Sequence, residues 1–239
     1  MHYLTLLYDD EANTNEFGTP EFEQEMAGYI RFGEIAGDAI VAGEALEPAA
    51  TAHTVRRSPD GPTITAGPYA EVTEVLGGFY VLEAASLDDA IELARQIPPV
   101  HTGAIEIRPM VQWIDATPDA VAEGSRRWLC TIHGPETAAD DPNDPAWADA
   151  AEAHHRFGET ASSALLAGGA LHPTASATTV RLRDGELLVS DGPFAEATEV
   201  VGGLYLLAGD ESSVMALAAQ IPTNDGGAVE VRPIMELDG

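Results

Sequence analysis

The sequence has very few positive charges. Its 239 residues include 11 Lys+Arg against 40 Asp+Glu, all eleven cations are arginine, and the formal net charge is −29. Nucleic acids and anionic membranes are bound mainly through clustered cations. We therefore expect neither nucleic acid nor a membrane as a partner. The acidic surface is attributed to solubility, as in a salty cytoplasm where self-repulsion is screened.

Cysteine, long apolar runs and cofactor motifs are also scarce. The single cysteine, Cys130, excludes an intrachain disulfide. It lies in the apolar run WLCTI, which predicts a small buried hydrophobe, with a nucleophilic thiol as the alternative. No run is long enough to span a membrane, and the N-terminal segment lacks the basic region of a signal peptide, so we expect a cytoplasmic protein. No P-loop, Rossmann or zinc motif is present, and neither a cofactor nor a metal site is predicted.

One stretch of the sequence occurs twice. GPYAEVTEVLGG at 67–78 and GPFAEATEVVGG at 192–203 share nine of twelve residues, with Ala66 before the first copy and Asp191 before the second. Phe-Gly-Glu at 32–34 and 157–159, and Thr-Val-Arg at 54–56 and 179–181, are displaced by the same 125 positions. The chain is therefore a tandem duplication with predicted domains at 1–111 and 127–239, joined by a polar linker at 112–126.

Each repeat shows the same predicted order of elements. In the first, an apolar strand at His2–Tyr8 is followed by a helix from Pro20 to Ile40, and in the second the equivalent helix reaches Leu166. Asp-Gly pairs at 60–61 and 184–185 lie between alternating runs and predict hairpins. A further strand, a short helix and a last strand complete β-α-β-β-β-α-β, an elaborated ferredoxin-like α+β unit.

The string DGPFAE, preceded by TVR and an Asp-Gly hairpin and followed by GG and a Tyr, resembles the DGPF subgroup of the YCII-related family. The second repeat carries it through Asp191, Phe194 and Glu196, whereas the first departs from it at Ala66 and Tyr69. The resemblance implies the dimeric α+β barrel fold, with the two ferredoxin-like domains forming an intrachain pseudo-dimer. Further self-association is left open.

For function, the resemblance implies a cleft lined by a His and an Asp in the wider family, and an association with sigma factors in DGPF members. Asp191 and His154 are therefore the predicted catalytic pair, with His155 next to it as a ligand-binding candidate. A turn-capping role for Asp191 and a structural, hydrogen-bonded role for His154 are the alternatives.

Other candidate ligand-binding side chains lie in or near the repeated motif. They are Arg56, Tyr69, Arg181, Phe194 and Glu196. Repeated arginines suit an anionic ligand. The alternative for Arg56, Arg181, Arg108 and Arg232 is an ion pair with Glu71, Glu74, Glu196 or Glu199.

Three hypotheses of function follow. The first is a protein that binds, or transforms, a small molecule in the second domain. The second is a non-catalytic interaction or regulatory protein, and the third is a scaffold. We favour the first; the residues leave open whether the chain is an enzyme.

Overall fold

The computed structural model describes residues 1–58, 60–70, 73–116, 125–194 and 199–236. In this part of the chain each repeat has the order β-α-β-β-β-β-α-β, an α+β fold. The elements of the first repeat are β1 (His2–Asp10), α1 (Pro20–Ala36), β2 (Ile40–Ala45), β3 (His53–Arg56), β4 (Thr63–Ala66), β5 (Glu74–Glu83), α2 (Leu87–Ala94) and β6 (Ala104–Asp115). Those of the second are β7 (Arg127–Gly134), α3 (Trp147–Thr160), β8 (Leu165–Leu171), β9 (Thr178–Arg183), β10 (Glu186–Asp191), β11 (Val200–Ala208), α4 (Glu211–Ala218) and β12 (Ala228–Pro233).

Local chemistry sets where several elements begin and turn. Helix α1 starts where the sequence predicts, because the Thr19 side chain accepts a hydrogen bond from the N–H of Phe22 and Pro20 occupies the first turn. Ser86 caps α2 in the same way. The predicted turn between β9 and β10 is confirmed, with positive φ at Asp184 (53°) and Gly185 (80°).

The predicted element order lacks one strand in each repeat. Both predicted first helices are too long: α1 ends at Ala36 and α3 at Thr160, and a strand follows each, β2 or β8. These strands read IVAGEA and LLAGGAL. Their small residues continue the spacing of the helix and lack the alternation typical of a strand, which explains the error. Strand β6 continues to Asp115, past residue 112 at which the predicted linker begins.

The structure separates into two compact units that do not follow the sequence repeats. Unit 1 comprises Met1–Ala45, Val72–Met110 and Thr174–Glu196, and unit 2 comprises Leu46–Glu71, Val111–Pro173 and Ala197–Gly239. The hairpin β9–β10 of the second repeat thus belongs to unit 1, and the hairpin β3–β4 of the first repeat belongs to unit 2. We call these two the exchanged hairpins.

Unit 1 is built on an antiparallel sheet. Its strands β6, β1, β5 and β2 lie in the ferredoxin-like order, and α1 and α2 connect β1 to β2 and β5 to β6. The exchanged hairpin extends this sheet, because Ile105 and Ile107 of β6 pair with Val180 and Thr178 of β9. Val180 is completely buried in a core that also contains Phe32 of α1.

Unit 2 repeats this arrangement with the roles of the repeats reversed. Strands β12, β7, β11 and β8 lie side by side, and β3 of the exchanged hairpin pairs with β12. Val55 of β3, the counterpart of Val180, is buried in this core with Trp128 and Phe157. Each core therefore includes a side chain supplied by the other repeat. Within the described residues, no helix combines the length and apolarity that a membrane span requires.

Candidate functional site

The first residues of the repeated motif, 67–70 and 192–194, follow the last strand of each exchanged hairpin and form what we call the motif loop. Gly67 and Gly192 have φ values of 104° and 99°, a region that favours glycine, and each donates its N–H to a carbonyl across the hairpin, that of Ala52 or Ala177 (2.8 Å). The carbonyls of the same two glycines accept hydrogen bonds from the hydroxyls of Thr54 and Thr179 (3.0 Å). The Gly-Pro step therefore turns the chain sharply after β4 and β10.

A buried carboxylate anchors each loop to its unit. In unit 1, the N–H of Phe194 donates to Glu106 Oε2 (2.9 Å), and Glu106 Oε1 pairs with Arg108 Nη1 (3.3 Å). In unit 2, the N–H of Tyr69 donates to Glu230 Oε2 (2.8 Å), and Glu230 Oε1 pairs with Arg232 Nη2 (2.8 Å). All four charged side chains are buried. Because an arginine pairs with each glutamate, the carboxylate can be buried and still accept the hydrogen bond from the loop.

The aromatic residue of each loop lies between two other side chains. Phe194 stacks on Tyr8 (4.6 Å between ring centroids) with the Arg181 guanidinium over its ring (4.9 Å). In unit 2, Tyr69 stacks on His133 (4.4 Å) beneath Arg56 (4.9 Å). The structure therefore brings together four of the predicted ligand-binding residues in two matching pairs, one in each unit.

The stack in unit 2 differs in its residues, with His133 in place of Tyr8 and Tyr69 in place of Phe194. Burial lowers the pKa of His133 to about 4, against the opposing charges of Glu230 and Glu199. Burial and then the neighbouring Glu199 raise the pKa of Tyr69 to about 12. At neutral pH His133 is thus uncharged and Tyr69 keeps its proton. The Nε2 of His133 lies 2.9 Å from the hydroxyl of Thr131.

His154 lies elsewhere in unit 2, on α3. Its Nδ1 is 2.9 Å from the hydroxyl of Tyr205 on β11, and the Tyr205 ring meets Phe157 edge-on. Burial lowers the pKa of His154, opposed by the charge of Asp140, and burial raises the pKa of Tyr205. Tyr205 faces Gly168 across the sheet, where a Cβ would come within 2.7 Å of the ring, so glycine leaves the room that this tyrosine occupies.

The Nε2 atom of His154 has no hydrogen-bond partner among the described residues. The ring is half-buried, uncharged at neutral pH and held through its other nitrogen. This combination fits a group that exchanges a proton with a bound molecule.

The remaining predicted site residues are dispersed. Asp191 is exposed at the end of β10 in unit 1, whereas His154 belongs to unit 2, so no single unit contains the predicted catalytic pair. Within the described residues the Asp191 carboxylate accepts no hydrogen bond, and residues 195–198, which follow the turn, lie outside them, so the turn-capping alternative stays open. His155 is exposed with its Nε2 3.8 Å from Glu159, and Glu196 lies outside the described residues.

Cys130, Arg108 and Arg232 are all buried. Cys130 is completely buried, and burial raises the pKa of its thiol, as a core residue requires. The ion-pair alternative holds for Arg108 and Arg232, although their partners are Glu106 and Glu230, not the glutamates near the motif. The repeated Glu-x-Arg-Pro is the signal that identifies these partners, since residues two apart share a face of a strand. The sequence also did not predict that Tyr205 contacts His154 or that His133 stacks on Tyr69.

Comparisons with known proteins support the duplication. The model of the YCII-related domain matches residues 1–114 and again 127–238. An uncharacterized protein from Rhizobium meliloti (strain 1021) is 34% identical over 119 residues, which cover 46% of this chain and 92% of that protein. A crystal structure of a protein assigned as a chlorite dismutase matches with a TM-score of 0.39 and 7% identity, over 98% of this chain and 94% of that one.

Proposed function

Because this chain belongs to the YCII-related family, and because its second repeat carries the full DGPF string, we propose that it binds a small molecule beside His154 in unit 2. The observation that supports this is the uncharged, half-buried His154 ring with one nitrogen held by Tyr205 and the other available. The aligned residue of the first repeat is Tyr29, so unit 1 offers no imidazole there.

The chemistry of such a site is proton exchange. The raised pKa of Tyr205 keeps its hydroxyl protonated, and that hydroxyl can donate to Nδ1 or accept from it. His154 Nε2 is then either a proton donor or an acceptor toward the bound molecule, which suits general acid–base catalysis. Asp191 as the partner of His154 stays a prediction, to be tested with the same assay.

The test compares two adjacent histidines by ligand-observed NMR with a small-molecule fragment library. We expect a set of fragments that bind the wild type and His155→Gln but not His154→Gln, with thermal transitions within a few degrees of one another. Asp191→Ala tests the predicted partner in the same assay: weaker binding of these fragments would support a role for Asp191, and unchanged binding would contradict it. Retention of every fragment by His154→Gln would contradict the proposal, and loss of the folded state would assign His154 a structural role.

A further inference from the structure

A surface pocket of unit 2 lies beside α3 and has a volume of about 300 Å³. It is lined by Arg57, Ala153, Arg156, Phe157, Thr160 and Gln220. Arg57 follows β3 of the exchanged hairpin, so this hairpin supplies one wall and α3 the other. This volume is large enough for a small molecule. The pocket lies at the surface and is open to solvent.

Among the described residues, some arginines pair with a carboxylate and others do not. Arg95, Arg108, Arg126 and Arg232 each pair with a glutamate. Neither Arg57 nor Arg156 pairs with a carboxylate anywhere in the described residues, although acidic residues outnumber basic ones by 40 to 11. Two guanidiniums that share one pocket without a carboxylate give a local positive charge that an anion can neutralise.

The other lining groups limit what the anion can contact. The Thr160 hydroxyl already donates to the carbonyl of Arg156, and the Gln220 amide N–H donates to the carbonyl of Ala216. The guanidiniums are therefore the donors for a ligand, while Ala153 and the small exposed part of Phe157 give the pocket an apolar floor. Two forked cations beside an apolar wall fit a doubly charged oxyanion attached to a small apolar body.

We propose that this pocket binds a phosphate monoester, with its phosphate between Arg57 and Arg156 and its organic part against Phe157. The site is separate from the one proposed at His154: it uses different groups of α3 and does not depend on proton exchange there.

The first repeat provides a natural comparison. At the positions displaced by 125, Arg156 corresponds to Arg31, but Arg57 corresponds to Leu182, which packs against the core of unit 1. Thr160 corresponds to the exposed Ile35. One cation in an apolar setting does not match a dianion, so only unit 2 carries this site.

Isothermal titration calorimetry of the full chain with phenyl phosphate, at low ionic strength, tests the proposal. We expect saturable binding that Arg57→Ala and Arg156→Ala each weaken about tenfold, the size of effect typical of one charged hydrogen-bonding group. Arg31→Ala is the matched control and is expected to leave the affinity unchanged. Benzoate, a monoanion with the same ring, is expected to bind about tenfold less tightly.

Absence of saturable binding in the wild type would overturn the proposal. So would equal weakening by Arg31→Ala, which would indicate general charge attraction, or equal affinity for benzoate, which would exclude recognition of a dianion. Both arginines are exposed, so the alanine variants should fold. Arg57→Gln and Arg156→Gln replace any variant whose circular dichroism shows loss of structure.

Discussion

At the scale of single residues, the two units use the same layered contact with different chemistry. Tyr8 in unit 1 and His133 in unit 2 occupy equivalent positions on β1 and β7, and each stacks on the aromatic residue of a motif loop. Burial disfavours the charged form of His133 and lowers its pKa to about 4. This position therefore makes unit 2 sensitive to acid.

His133 is expected to make the stability of the chain depend on pH. Its pKa is about 4 in the folded state and about 6.5 when unfolded, so the unfolded chain binds more protons between these values. The contribution of His133 to the free energy of unfolding is fully present above about pH 6.5. Below that pH it decreases as the pH falls, by up to about 1.4 kcal/mol per pH unit. Urea denaturation of the wild type and of His133→Tyr across this pH range measures how steeply the free energy of unfolding of each protein depends on pH.

His133→Tyr copies the residue of the other repeat and is therefore a mild change in shape. It removes the contact with Thr131, so its absolute stability will shift; the slope is the relevant quantity. His154 contributes in the same direction in both proteins. Parallel pH profiles for the two proteins would show that His133 is solvated enough to titrate normally.

At the scale of elements, the anchored loops explain why the motif is repeated with so few changes. The Gly-Pro turn presents a backbone N–H to a buried glutamate, and the residue that donates it is aromatic in both loops. Ala66 and Asp191 both end their strands without altering these bonds. The difference between the repeats before Gly-Pro is therefore not required by the turn.

Glu230→Gln is expected to destabilise the chain by about 3 kcal/mol, because Arg232 loses the carboxylate that neutralises it in a buried position. Glutamine keeps an oxygen that can accept from Tyr69. The matched control is Glu92→Gln, which breaks the exposed Arg95–Glu92 pair and should cost less than about 1 kcal/mol. The midpoints of urea denaturation compare the two. Equal, small changes would mean that the buried Arg232 does not depend on the charge of Glu230.

Many of the strands, helices and turns could be predicted from the sequence, but not all of them. The duplication, the Asp-Gly hairpins and the start of α1 depend on local patterns, and the structure confirms them. Strands β2 and β8 were missed because their small residues lack a period of two. The stacks on Tyr8 and His133 involve residues far apart in the chain, which local patterns do not bring together.

At the scale of the whole molecule, the distinctive feature is that each compact unit includes a hairpin from the other repeat. The sequence could not predict this, because the two hairpins carry the same pattern: Val55 and Val180 are equivalent, and so are the strands that they join, β12 and β6. A hairpin suited to one sheet edge suits the other equally. Only the pairing of strands in three dimensions distinguishes the two connections.

The most direct measurement of hairpin exchange is a disulfide scan in a Cys130→Ala background, read by mass spectrometry of unreduced peptides. Ile107 and Thr178 are paired across β6 and β9, so cysteines at both positions lie within bonding distance. The control combines Thr178→Cys with Val231→Cys. Val231 is the counterpart of Ile107, and Val231 pairs with Cys130 and His53. We predict a disulfide for the first pair and none for the second. A disulfide in the control, with none between 107 and 178, would show that the hairpin stays with its own repeat.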